Sequence, residues 1–202
     1  MIKAILFDAD GVIIRSEFFS TTFSKEYGTS AEVLQSFFNG DFLDCVVGKK
    51  DLKEELEKRR ESWGWPDSTD ALLGYWFSAE HIVDTGLVSV ISRLRSAGIA
   101  CYLATNQEKY RTQYLIDEMG FADIFDSIFA SCYLGVRKPQ PEFYQSILTE
   151  IGNPLPNEVL YFDDSHSNID AALALGINAE FYTDFDRGIE LLKYYVPEVN
   201  LA

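Results

Sequence analysis

Positive charge is scarce in this sequence. Its 202 residues include 17 lysines and arginines against 32 aspartates and glutamates, so the formal net charge is −15 at pH 7. A surface of this kind repels the backbone of nucleic acids and the anionic face of membranes. We therefore expect neither as a partner. A phosphorylated substrate would also be repelled unless its binding site carried positive charge of its own.

Cysteines and long apolar runs are scarce as well. Cys45, Cys101 and Cys132 are far apart and have no zinc-type spacing, which favours free thiols over a metal site or disulfide framework. No apolar stretch approaches the roughly 20 residues of a membrane-spanning helix. The apolar run at residues 1–7 is short and leads into two aspartates, unlike a signal peptide. We expect a cytoplasmic protein that is a monomer or a weak homodimer.

Short apolar runs alternate with helical patterns along most of the chain. Nearly continuous apolar runs are typical of parallel strands covered on both faces. The predicted strands are residues 2–7, 99–104, 127–130, 159–162 and 178–182. The predicted crossover helices are residues 88–97, 109–119, 142–151 and 168–175. The alternation predicts an α/β fold with a doubly wound, Rossmann-like parallel sheet.

One segment breaks this alternation. Residues 15–84 contain no convincing strand pattern, and helical patterns cover residues 18–27, 51–63 and 70–81. We interpret the segment as an all-helical cap inserted after the first strand. The predicted division is therefore a catalytic core of residues 1–14 and 85–202, with the cap at residues 15–84.

Polar side chains of a type useful to phosphate chemistry follow four of the predicted strands. They are Asp8 and Asp10, Thr105 and Asn106, Lys138, and Asp163 and Asp164. Ligands of doubly wound sheets bind beyond the carboxyl ends of the strands, so we expect these groups to meet in one site. Such a combination at a single sheet edge predicts an enzyme that transfers or hydrolyses phosphate.

Each group has a role in that chemistry. A carboxylate nucleophile, Asp8, could split phosphate ester hydrolysis into two steps, with Asp10 as general acid and then general base. Mg²⁺ prefers oxygen ligands, which Asp8 and Asp164 could supply, with Asp163 nearby. Thr105, Asn106 and Lys138 could hold the phosphoryl oxygens.

These residues also carry a resemblance to a known family. Asp8-Ala9-Asp10-Gly11-Val12, Ala104-Thr105-Asn106, Lys138-Pro139 and Asp163-Asp164 resemble the four ordered motifs of the haloacid dehalogenase superfamily. The resemblance implies a Mg²⁺-dependent enzyme that forms an aspartyl-phosphate and carries a small helical cap. It further implies that Asp164 binds the metal directly, Asp163 binds it through water, and Asp8 and the main-chain carbonyl of Asp10 complete the protein ligands.

Finer details of the motifs indicate which members of the superfamily the sequence resembles. The family's dehalogenases lack the second aspartate and its transport ATPases replace it with threonine, so Asp10 argues against both. Residues 135–144 and 162–168 look most like those of bacterial glucose-1-phosphate phosphatases and of the amino-terminal phosphatase domain of soluble epoxide hydrolases. The implied substrate is a small phosphorylated metabolite such as a sugar phosphate.

The cap offers candidates for substrate contacts. Phe18, Phe19 and Phe42 are the best aromatic candidates, although an aromatic set in a helical lobe is more often its core. Lys49 is a candidate for contacting the far end of a substrate, and a solvated surface lysine is the alternative. His166 and His81 are interpreted as a loop residue and a structural residue.

Two other functions are compatible with the motifs. A sugar phosphomutase would use the same core residues, with a sugar hydroxyl in place of water as the acceptor. A non-catalytic binding or regulatory protein on this fold would be expected to lose a nucleophile or a metal carboxylate, and this chain retains them. Hydrolysis of a small phosphomonoester is therefore the leading hypothesis.

Overall fold

The chain folds around a parallel sheet of five strands. The computed structural model describes residues 1–201, and the order across the sheet is β3-β2-β1-β4-β5. The strands are β1 Ala4–Phe7, β2 Ala100–Thr105, β3 Ser127–Ala130, β4 Val159–Asp163 and β5 Asn178–Phe181. All four strand pairs are parallel. The predicted doubly wound α/β fold is confirmed.

The register of the sheet brings the ends of the central strands level. Phe7, the last residue of β1, lies opposite Leu103 on β2 and Phe162 on β4. The polar residues that follow these strands therefore meet at one edge of the sheet, where the chain turns into loops and helix N-termini.

Helices cover both faces of the sheet. Those after the first strand and its insert are α6 Thr85–Ser96, α7 Lys109–Asp117, α8 Phe121–Ile124, α9 Ser131–Leu134, α10 Pro141–Glu150, α11 His166–Ala174 and α12 Phe185–Tyr195, with a 3-10 turn at Pro156–Glu158. Alternate residues of β1 point to opposite faces. Ile5 and Phe7 join one buried cluster, and Ala4 and Leu6 join the other. No helix within residues 1–201 combines the length and apolar composition that crossing a membrane requires.

Residues 15–84 contain five helices. They are α1 Phe19–Tyr27, α2 Ala31–Phe38, α3 Asp41–Val46, α4 Leu52–Glu57 and α5 Thr69–Ala79. The segment leaves and re-enters the core side by side, because Arg15 donates its main-chain N–H to Ile82 and Asp84 donates to Ile13, both at 2.8 Å. Its interior is an aromatic cluster that includes Phe19, Phe23, Trp63 and Trp76.

Parts of the helical prediction were wrong in extent. The helix predicted over residues 51–63 begins after Asp51, whose carboxylate caps it, but ends at Glu57. The chain then turns through Gly64, which has a φ of 80°. This turn buries Trp63 and Trp65 in the cap core, and a continued helix would direct the two rings differently. The short helices α2 and α3 and the final helix α12 were not assigned from the sequence.

Candidate active site

Asp8 lies directly after β1 and is 8% exposed. Its Oδ1 accepts hydrogen bonds from the main-chain N–H of Ala9 and from Nζ of Lys138, both at 2.7 Å. Within residues 1–201 the structure records no hydrogen bond to the second carboxylate oxygen. Asp8 is thus held in one orientation with Oδ2 available to a substrate.

Lys138 lies in the loop between α9 and α10 and is 1% exposed. Its ammonium group contacts Asp8, Asp163 Oδ2 at 2.8 Å and the carbonyl oxygen of Ala104 at 2.9 Å. The side chain of Asn106 holds the main chain of Lys138 through two hydrogen bonds, of 2.9 and 3.1 Å. Because the three ammonium hydrogens already have protein partners, Lys138 supplies a fixed buried positive charge between two carboxylates.

Asp163 ends β4 and is fully buried. Besides Lys138, its carboxylate accepts hydrogen bonds from the Asn168 amide at 2.9 and 3.1 Å, the Ser165 main-chain N–H at 2.8 Å, and the Tyr161 hydroxyl. Burial opposes ionisation, but Lys138 and these donors hold the pKa of Asp163 below its ordinary value. Asp163 is therefore an ionised anchor with both oxygens engaged by the protein.

Asp164 is exposed, in contrast to its neighbour. Its carboxylate lies against Gly11, where a Cβ would stand 2.0 Å from Asp164 Oδ2. Gly11 also has a φ of 78°, which favours glycine. Both observations require glycine at this position, so the loop after β1 approaches Asp164 more closely than another residue would permit.

The three carboxylates described so far could hold a metal ion. Asp8, Asp163 and Asp164 each offer an oxygen, and the three oxygens lie within 4.8 Å of one another. Three carboxylates against the single charge of Lys138 leave an excess of two negative charges, which a divalent cation neutralises. Carboxylate oxygens are preferred Mg²⁺ ligands. The donor set therefore fits Mg²⁺, with the main-chain oxygen of Asp10, which accepts no recorded hydrogen bond within residues 1–201, as a further candidate.

Asp10 lies on the same loop and faces a cavity. Gln107 donates a hydrogen bond of 2.5 Å from its Nε2 to Asp10 Oδ2. Burial raises the pKa of Asp10 above its ordinary value, against the opposing effects of Arg111 and of this hydrogen bond. Burial likewise raises the pKa of Asp8, against the opposing effect of Lys138. A bound cation would lower both, since it favours the ionised form.

The cavity lies between the cap and the core and has a volume of about 700 Å³. Its lining joins Asp10 of the first loop to Asn106 and Gln107 after β2 and to side chains of the cap. Phe18 and Phe42 line it, as the sequence-based hypothesis expects. Phe19 instead stacks on Trp76 inside the cap core, with ring centroids 4.6 Å apart.

The remaining predicted residues lie as follows. Thr105 is the last residue of β2 and is 1% exposed. Lys49 is exposed and is not part of the cavity lining. His81 contacts the Tyr114 hydroxyl at 2.7 Å, and the exposed His166 ring stacks on Phe181 with centroids 4.0 Å apart. The recorded contacts join Asp8, Asn106, Lys138, Asp163 and Asp164 at one edge of the sheet. Phe19, Lys49 and both histidines lie outside the cavity lining.

Sequence reasoning missed several residues that organise this site. Gln107 follows Asn106 directly, and its position after the strand was the one available signal. Arg111 is 3% exposed and reaches from α7 to the cap, where it donates to the carbonyl oxygens of Phe77, at 3.2 Å, and Glu80. Tyr161 lies within an apolar strand pattern, so nothing in the sequence distinguishes it from a core residue.

Comparison with known proteins assigns the chain to a family. The model of the haloacid dehalogenase-like hydrolases matches residues 2–176. The chain belongs to the haloacid dehalogenase-like hydrolase family. The ordered motifs of this hydrolase agree with that assignment, and the resemblance to the haloacid dehalogenase superfamily inferred from the sequence is confirmed.

Two curated relatives of the hydrolase are phosphatases. A sesquiterpene phosphatase from Aspergillus oryzae is 35% identical over 101 residues, which are 50% of this chain and 51% of that protein. The aligned part is therefore about half the length of either protein. A phosphorylated carbohydrates phosphatase from Thermotoga maritima is 24% identical over 87% of this chain and 82% of that protein.

The hydrolase also has a close structural neighbour. A haloacid dehalogenase family enzyme from Bacteroides thetaiotaomicron superposes with a TM-score of 0.82 at 22% identity, covering 94% of this chain and 98% of the other. A second structure of that enzyme, in complex with magnesium and inorganic phosphate, gives a TM-score of 0.77. At this identity, the likeness establishes the fold.

Proposed function

We propose that this hydrolase is a Mg²⁺-dependent phosphatase that cleaves a small phosphomonoester through an aspartyl-phosphate on Asp8. The observation that carries the proposal is the Asp8 carboxylate, which Lys138 and Ala9 orient next to two further carboxylates. Asp10, two residues along the same loop, lines the cavity. Both phosphatases among the relatives and the phosphate complex of the Bacteroides enzyme support it.

The reaction would take place in two steps. In the first, Asp8 Oδ2 bonds to phosphorus, the bond from phosphorus to the ester oxygen breaks, and Asp10 donates its proton to the leaving alcohol. In the second, water attacks the phosphorus of the aspartyl-phosphate while Asp10 takes up a proton, which regenerates Asp8 and releases phosphate. Burial, which raises the pKa of Asp10 above its ordinary value, favours the protonated form that the first step requires.

The other core residues would support these steps. Lys138 holds Asp8 and contributes positive charge, while Gln107 orients Asp10. Thr105 and the main chain after β2 would meet the phosphoryl oxygens. Mg²⁺ held by Asp8, Asp164 and the Asp10 carbonyl would neutralise the charge between the carboxylate and the anionic ester, and Asp163 fits the role of a ligand through water, since its oxygens already have protein partners.

The test is phosphate release from a panel of phosphomonoesters, measured with Mg²⁺, with EDTA, and for Asp8→Asn. We expect release only with Mg²⁺, and a loss of at least about 10³-fold in kcat for Asp8→Asn because the nucleophile is removed. Asp186→Asn, an exposed aspartate in the first turn of α12, is the matched control and should keep full activity.

Trapping separates the proposal from its rivals. Brief reaction followed by acid quench should give phosphate attached to Asp8 in the wild type and none in Asp8→Asn. Release that persists in EDTA or in Asp8→Asn contradicts the mechanism. An isomerised sugar phosphate in place of free phosphate would establish the phosphomutase, and ligand binding without turnover across the panel would establish a binding protein.

A further inference from the structure

The interior wall of the cavity is aromatic. Phe38, Phe42 and Trp76 come from three different helices of the cap and all line the cavity. Their ring centroids are 5.1 Å apart for Phe38 and Phe42, 5.4 Å for Phe38 and Trp76, and 5.6 Å for Phe42 and Trp76. Because each ring packs against the other two, the wall is formed before a ligand binds.

Phe18 extends this wall toward solvent, and its side chain does not cap the helix that it precedes. It is 60% exposed, lines the cavity, and occupies the N-cap position of α1 without a capping hydrogen bond. Ser, Thr, Asp and Asn are strongly preferred at N-caps, so phenylalanine here forgoes a stabilising contact. An exposed ring that stabilises neither the helix nor the cap core is available to contact a ligand.

The cavity offers little positive charge to a second anionic group. Its lining contains the carboxylates of Asp10 and Glu80, and Glu80 accepts hydrogen bonds from the Phe19 main chain at 2.7 Å and from Trp76 Nε1 at 3.0 Å. Among the described lining residues the cation is Lys25, whose side chain is 66% exposed and already paired with Glu17 at 2.8 Å. A substrate that extends into the cavity therefore gains little from a second phosphate or carboxylate.

At the phosphate end, the Asn106 side chain is already hydrogen-bonded to the Lys138 main chain and the Gln107 side chain to Asp10. Other polar side chains lie at the rim. Thr21, Lys25 and Gln35 line the cavity but are exposed, whereas Trp76 is 6% exposed. A sugar leaving group next to Asp10 would place its hydroxyls against aromatic faces, where few of them could be hydrogen-bonded. A volume of about 700 Å³ is also far larger than a very small alcohol would fill.

Resting on the proposed phosphatase activity, we propose that the substrate is a phosphomonoester whose alcohol is an extended, uncharged hydrocarbon that lies along Phe18, Phe38, Phe42 and Trp76. The phosphate binds at Asp8 Oδ2, which no protein group within residues 1–201 engages, the ester oxygen faces Asp10, and the hydrocarbon leaves water for the aromatic wall. Apolar surface removed from water then provides the specificity.

The test is the dependence of kcat/KM on chain length for butyl, hexyl and octyl phosphate, with glucose 1-phosphate and phosphocholine for comparison. Each buried methylene contributes up to about fourfold, so we expect kcat/KM to rise on the order of 10- to 100-fold from butyl to octyl phosphate. Octyl phosphate should exceed both glucose 1-phosphate and phosphocholine. The substrates are kept below the concentrations at which they form micelles.

Variants locate the effect. Phe42→Ala and Phe18→Ala should each lower the ratio of kcat/KM between octyl and butyl phosphate by about tenfold, since each removes a ring of the wall. Phe18 is mostly exposed, so that variant keeps the test valid if Phe42→Ala folds poorly. Val33→Ala, an exposed apolar residue of α2 outside the cavity lining, is the control and should leave the ratio unchanged.

The outcomes separate this inference from the function on which it rests. A flat chain-length series, or a preference for glucose 1-phosphate or phosphocholine, would overturn the hydrocarbon substrate while Asp8-dependent phosphate release stands. An unchanged ratio in both phenylalanine variants would also overturn it. Loss of Asp8 dependence across the whole panel would instead refute the phosphatase.

Discussion

Replacing Lys138 with methionine tests how much of the stability of the protein depends on the buried charges of the site. Methionine keeps approximately the length of lysine and creates no large cavity, so the main change is the loss of one charge. In the wild type, the Lys138 ammonium group lies 2.7 Å from Asp8 and 2.8 Å from Asp163. In the variant, two buried carboxylates face each other without a cation between them.

The magnitude follows from the burial of the three side chains. Lys138 is 1% exposed, Asp163 is fully buried and Asp8 is 8% exposed. Removing one partner of such a buried ion pair costs about 3–5 kcal/mol in the free energy of unfolding. The total stability of a natural domain is about 5–15 kcal/mol, so this change removes a large part of it.

The assay is urea denaturation in EDTA, with Lys3→Met as the matched control. Lys3 forms an ion pair of similar length, 2.8 Å to Glu158, but its side chain is 64% exposed. Surface pairs contribute about 0–1 kcal/mol, so the control should lose no more than that. Adding Asp163→Asn to Lys138→Met should restore part of the lost stability, because it removes one of the two unpaired charges.

The pH dependence gives an independent check. Without Lys138, the pKa values of Asp8 and Asp163 rise in the folded state, so the folded variant binds protons that the unfolded chain has released. The loss in free energy of unfolding of Lys138→Met relative to wild type should therefore grow as the pH rises above the ordinary pKa range of aspartate, and it should shrink at pH 4. A deficit that is independent of pH, or no larger than that of Lys3→Met, would refute the assignment of a charge-based role to Lys138.

Two further predictions concern neighbouring positions. Burial raises the pKa of Glu108, the N-cap of α7, to about 7, so the free energy of unfolding should fall as the pH rises from about 4.5 to about 7. Glutamine does not titrate, so the free energy of unfolding of Glu108→Gln relative to wild type should increase by up to about 3 kcal/mol between pH 5 and pH 8, as measured by chemical denaturation. The same difference between variant and wild type at both pH values would contradict this prediction. Gly11→Ala should weaken Mg²⁺ binding at least about tenfold in calorimetric titration, because its Cβ would displace Asp164. Gly28→Ala is the control, because Gly28 has a similar positive φ but no atom lies within 4 Å of the added Cβ. This variant should have the same backbone strain and keep the wild-type affinity for Mg²⁺.

Much of the site was predictable because phosphate chemistry requires a few residue types at fixed points of the chain. Strands buried on both faces can be recognised in a sequence as apolar runs, and the polar residues directly after them lie at the carboxyl edge of the sheet. Asp8, Asp10 and Asp164 were identified in this way, and Lys138 was identified from its position in the loop region that follows the third strand. The helix after Asp51 shows the limit of the same reasoning, since its end depends on burying Trp63 in the cap and the local pattern does not contain that contact.

The sequence by itself determined the fold class, the family and the carboxylates and lysine of the site, since these follow from periodicity and from motifs at strand ends. Only the tertiary structure decided what those side chains do to one another. It engages both oxygens of Asp163 with protein donors, uses the ammonium of Lys138 to orient Asp8, and brings Gln107 to Asp10. It also turns Phe18 and Phe42 toward the cavity and Phe19 into the cap core. These outcomes depend on contacts between residues that are distant in the chain, and a local pattern cannot specify them.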